Sequence, residues 1–150
     1  MRAVTSFVLA ASAVILTLPA SAQFAKPEDA VRYRKSAMFI MQQNLGRVAA
    51  MSAGRVAFDA KVAADSAAVA EFMSRLPWPA FGAGTDKGET RAKPEIWAEP
   101  AKFSEYAQKM QTELSKLAVA AKGADLDSLK AAVKATGAAC KTCHDAYRKD

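Results

Sequence analysis

The chain's only two cysteines, Cys140 and Cys143, and its only histidine, His144, fall within five consecutive residues, Cys140-Lys141-Thr142-Cys143-His144. Thiols and imidazole are the soft ligands and nucleophiles of a protein, so any metal or redox chemistry in this chain starts here. The spacing is C-x-x-C-H, the pattern that attaches a c-type haem. On a helix, positions i, i+3 and i+4 share one face, so both sulfurs and the imidazole project together. Two thioether bonds would then fix the porphyrin edge and hold the imidazole beneath the iron. Three other chemistries fit less well. Zinc asks for about four ligands and would have to recruit a carboxylate. A redox dithiol wants its nucleophilic cysteine at a helix N-terminus in a thioredoxin-like setting, and no βαβ pattern is present. A disulfide between helical cysteines three apart lacks the preferred geometry. The expectation is one covalently bound haem c per chain, with Cys140 and Cys143 as anchors and His144 as proximal axial iron ligand.

A haem edge needs elements to carry it, and the apolar pattern supplies four helices. Arg34, Met38, Met41, Leu45 and Val48 recur at spacings of three and four, after Pro27, Glu28 and Asp29, which suit a helix start; this predicts a helix over about 28–51. Phe58, Val62, Val69, Phe72 and Leu76 form a second stripe, stopped by Pro77 and Pro79. A third runs through Phe103, Tyr106, Met110, Leu114, Leu117 and Ala121, entered by Pro100 and closed near Gly123. Asp125 or Asp127 can cap the fourth, whose stripe is Leu126, Leu129, Val133, Thr136, Cys140, His144 and Tyr147. No alternating strand pattern occurs, so the fold class is all-α, an antiparallel four-helix bundle. The one long connection, residues 77–100, holds both tryptophans and four of the six prolines. It reads as a crossover to the far end of the bundle, whose Trp78, Phe81 and Trp97 either form a satellite core or wall a pocket.

Arg2, the apolar run from Phe7 to Leu18 and the small-residue sequence Ala20-Ser21-Ala22 make residues 1–22 a signal peptide cleaved after Ala22. Residues 23–150 are then one haem-binding domain, exported to a periplasm. No stretch reaches the apolar length of a membrane span. The net charge of +6 falls to +5 once Arg2 is removed, and its lysines and arginines are scattered without a basic run, which argues against nucleic acid.

A motif this close to the C-terminus, with no methionine after His144, resembles the class II c-type cytochromes. The stretches QFAKPEDAVRYRKSA from Gln23, LPWPAFGAGT from Leu76, PEIW from Pro94 and CKTCHDAYRK from Cys140 resemble the cytochrome c-prime family. The resemblance implies a homodimer with its interface on the first two helices, and a five-coordinate haem that binds nitric oxide and carbon monoxide. It makes Arg34 the residue that meets a haem propionate and Arg148 the basic residue beside the proximal pocket. Met38 falls where the family places an apolar side chain over the open face of the iron, commonly leucine or phenylalanine. Two functions stand: a periplasmic nitric oxide sink, and a low-spin electron carrier with Met38 as sixth ligand, working with a redox partner protein. No distal acid–base pair is evident, so the chain reads as a binder and not an enzyme.

Overall fold

The computed structural model of the chain describes residues 24–123 and 125–150. The expected signal peptide and its cleavage site lie outside the described residues. The elements are α1 (Pro27–Ser52), α2 (Ala60–Met73), a 3-10 turn (Trp78–Phe81), the single-turn α3 (Glu95–Ala98), α4 (Pro100–Ala120) and α5 (Leu126–Tyr147). Among the described residues the only β pairing is an isolated antiparallel bridge between Ala92 and Arg148.

Local chemistry sets the helix ends. Pro27 opens α1 and Pro100 opens α4, each in the first turn, where a missing N–H costs nothing. Past the end of α1, Gly54 takes a left-handed φ of 68° that a side chain would resist. The Asp59 carboxylate accepts from Val62 N–H at 2.9 Å to cap α2, and Asp125 accepts from the N–H groups of Asp127 and Ser128 to cap α5.

α1 packs along α2 and α4 along α5, while α2 meets α4 and α1 meets α5, which closes the expected four-helix bundle. Its core is built from Met41, Val48, Ala67, Ala70, Met110, Leu114, Leu117 and Leu129. Two expectations need correction. The stripe Phe58, Val62, Val69 and Phe72 does not face the core: all four are exposed, Phe72 by 62%. The buried face of α2 is Ala63, Ser66, Ala67 and Ala70, small residues that let α1 and α2 approach closely. The long connection, second, does not cross to the far end. It touches Arg34 near the start of α1, Phe103 near the start of α4 and Arg148 just past α5, so it folds back over one end of the bundle. That end carries the C-x-x-C-H motif.

Candidate haem site

Cys140, Cys143 and His144 occupy the last turns of α5. Neither cysteine forms a disulfide, and both are half-buried. Cys140 packs against the core, as do Met38 of α1 and Trp78 of the crossover. Burial raises the Cys140 thiol above its ordinary value. Burial, followed by the nearby charge of Cys140, pushes Cys143 up to about 11. Desolvation holds the His144 imidazole below its usual value; Arg91 lowers it further and Asp145 opposes them. His144 as a whole is exposed, contrary to its expected place on the inward stripe, although Tyr147 one turn further on is buried.

At neutral pH the motif therefore presents two protonated thiols and a neutral imidazole. Among the described residues no group of three or more histidine, cysteine or carboxylate side chains could hold a metal ion. The donor set fits haem c: paired thiols at i and i+3, and an imidazole at i+4 in its metal-binding form.

Arg34 is almost fully buried. Its Nη1 donates to Ala80 O at 2.9 Å and Thr85 Oγ1 at 3.0 Å, and its Nη2 donates to Thr85 O at 2.7 Å and Thr90 Oγ1 at 2.9 Å. The guanidinium also lies 4.3 Å from the Phe81 ring centroid. All four terminal N–H groups are thus committed to the crossover, and only Nε–H is left for the propionate role that the resemblance implied. Burial lowers the Arg34 pKa and Asp86 partly offsets this, yet the group stays charged across the working range.

Trp78 and Phe81 serve both expected purposes. Phe81 and Phe103 meet edge-to-face at 4.9 Å between centroids, Phe103 meets Tyr147 at 5.2 Å, and Trp78 stacks near Phe81. These rings link the crossover to α5 as a satellite cluster. Trp78, Phe81, Trp97, Phe103 and Gln111 also line a groove of about 500 Å³. A larger cavity of about 740 Å³ lies between the α1–α2 connection and Lys130 and Lys134 of α5. Along α5 its lining residues lie about 9–20 Å from the cysteines at the helical rise per residue. Neither cavity is lined by the cysteines or His144.

Arg148, the residue that the resemblance sets beside the proximal pocket, stands just past α5 with an extended backbone, φ −122° and ψ 133°, opposite Ala92. Lys93 N–H donates to Tyr147 O at 2.9 Å and Lys149 N–H donates to Arg91 O at 2.8 Å, which ties the crossover to the segment after His144. Sequence reading missed Thr85, Thr90, Ala92 and Lys93 as partners, since they lie in an aperiodic segment. One signal was available: an arginine on an otherwise apolar seam must find acceptors somewhere.

A four-helix bundle that carries C-x-x-C-H in the last turns of its last helix defines a bundle-type c cytochrome. Residues 29–148 match the profile of the family described as Cytochrome C'. The cytochrome c' of Rubrivivax gelatinosus is 48% identical over 128 residues, covering 85% of this chain and 99% of its own. A solved structure of cytochrome c' from Rubrivivax gelatinosus aligns with a TM-score of 0.81 over 85% of this chain and 100% of its own, at 48% identity. A nitric oxide complex of a leucine-to-alanine mutant of cytochrome c prime from Alcaligenes xylosoxidans aligns with a TM-score of 0.80 at 46% identity, over 85% of this chain and 99% of its own. The chain belongs to the cytochrome c' family, and one covalently bound haem c per chain follows from that membership.

Proposed function

We propose that the chain is an exported, periplasmic mono-haem cytochrome that sequesters nitric oxide and also binds carbon monoxide. Residues 1–22 act as its cleaved signal peptide. Cys140 and Cys143 are the thioether anchors and His144 is the proximal ligand. Haem held by these residues would supply an iron able to take a small neutral ligand.

The carrying observation is the apolar wall to which Met38 belongs. This side chain is half-buried and packs on the same core as Leu45, Trp78 and Cys140. Such a wall admits neutral diatomics, gives bound dioxygen no hydrogen bond, and desolvates anions without recompense. Met38 acts as a lid over the open face, and the thioether fills space without ligating. Arg34 holds the crossover over this end of the bundle and keeps Nε–H for a propionate, while Trp78 and Phe81 wall the approach. Arg148 stands beside the proximal side. The protein works by binding, without turnover.

The nitric oxide complex of the Alcaligenes xylosoxidans relative supports this reading. The exposed Tyr33, Phe39 and Ile40 of α1, with Val62, Val69 and Phe72 of α2, supply the face on which two copies pair as a homodimer.

The test is the optical and EPR spectrum of the haem-loaded protein, ferric and ferrous, with and without carbon monoxide. High-spin signals that carbon monoxide readily changes are expected. A low-spin spectrum with a sulfur–iron charge-transfer band, indifferent to carbon monoxide, would overturn the proposal and make Met38 a ligand of an electron carrier.

A further inference from the structure

α5 ends one turn past His144, and its last carbonyls need partners that the helix itself does not supply. Many helices close on a left-handed glycine, as α1 does with Gly54, but α5 runs into Arg148, Lys149 and Asp150, and Arg148 is extended. Arg148 N–H still donates to His144 O at 2.9 Å. One residue later the bonding changes partners. Lys149 N–H, which a continuing helix would aim at Asp145 O, donates instead to Arg91 O of the crossover at 2.8 Å.

Lys93 takes the carbonyl so freed and one more. Its Nζ donates to Asp145 O at 2.9 Å, and its backbone N–H donates to Tyr147 O at 2.9 Å. One residue thus closes α5 with side chain and main chain at once, from fifty-two positions away in sequence. Its ammonium is not drawn there by a carboxylate: among the described residues Lys93 is in no ion pair, and the Asp145 carboxylate takes Lys141. A cation on free carbonyls at a helix C-terminus is favoured by the helix dipole as well as by the bond.

The two clamped carbonyls belong to the turn that His144 begins. Metal-binding histidines are generally aimed by a hydrogen bond on the second ring nitrogen. Among the described residues no protein group bonds to the His144 ring, and the residue is exposed, so its aim depends on the backbone of this turn. We infer that Lys93 is a positioning residue for the proximal imidazole: by clamping Asp145 O and Tyr147 O it holds the last turn of α5, and through it the direction in which His144 meets the haem iron. The inference rests on the haem reading above. Cys140 and Cys143 would anchor the group with or without the clamp, so Lys93 governs the imidazole's aim and not haem loading.

The test compares haem-loaded wild type, K93A, K93R and D125A. Deuterium uptake over residues 145–150, read by peptide mass spectrometry, is expected to run about fivefold faster in K93A, which loses one exposed hydrogen bond. It should return close to wild type in K93R, whose guanidinium still reaches Asp145 O. The iron–imidazole stretching band in the ferrous resonance Raman spectrum should shift and broaden in K93A and recover in K93R. D125A removes the cap at the far end of the same helix, so it should lower Tm and leave both readouts unchanged.

Unchanged uptake in K93A, or faster uptake with an unmoved iron–imidazole band, would sink the idea. An equal band shift in D125A would do the same, since any loosening of α5 would then disturb the imidazole. A wild type that lacks the band overturns the haem reading together with the inference, whereas a normal wild-type band and an unaltered K93A overturn the inference alone.

Discussion

Replacing Arg34 by methionine tests how the crossover is held over the site. Methionine keeps most of the buried stem and deletes every donor. Four hydrogen bonds are lost, but not all acceptors are stranded. Thr85 Oγ1 still donates to Gly82 O at 2.8 Å, and Thr90 Oγ1 still accepts from Ala92 N–H at 3.1 Å. Ala80 O retains a long contact from Thr85 Oγ1 at 3.3 Å, whereas Thr85 O loses its only side-chain donor. One fully and one partly orphaned carbonyl cost about 1–3 kcal/mol each, and the lost charge-assisted bonds add to this. Relief from burying a guanidinium offsets part of it. The expected net loss is about 3 kcal/mol, or roughly 10 °C in Tm for a domain of this size. Urea unfolding of the haem-loaded protein, followed by far-UV circular dichroism, should show the midpoint fall with m unchanged. A loss below about 1 kcal/mol would refute the reasoning and mean that the aromatic cluster holds the crossover without the clamp.

Enlarging the inward face of α2 with A67L should destabilise by about 1–3 kcal/mol, because Ala67 is fully buried and has no room for a larger side chain; thermal unfolding checks this. F72D, on the opposite face of the same helix, should leave the fold intact and shift sedimentation from dimer to monomer. The Asp125 carboxylate is held below its ordinary value, first by the Ser128 hydroxyl and then by the backbone N–H of Asp127. A depressed folded pKa contributes stability above the unfolded value of about 3.8 that is lost as pH falls through the lower folded one. The Tm deficit of D125A relative to wild type should accordingly be present at pH 7 and fade toward pH 2.

The four long helices were legible because their signals are local. Pro27 and Pro100 start helices, Asp125 caps one, and apolar residues three and four apart mark faces. The face of α2 was misread because periodicity shows that a helix has two faces without saying which one faces inward. Large side chains were taken as core, but the spacing between α1 and α2 admits only Ala63, Ala67 and Ala70.

By itself the sequence determined the chemistry: two thiols and an imidazole at C-x-x-C-H spacing on a helix near the chain's end, within an all-α fold. Only the tertiary structure decided what surrounds that motif. Arg34 finds Thr85 and Thr90 fifty-one and fifty-six residues away, and Arg91 comes to stand opposite Lys149. Contacts between such distant segments depend on how the crossover folds back over one end of the bundle, and no local repeat encodes that path.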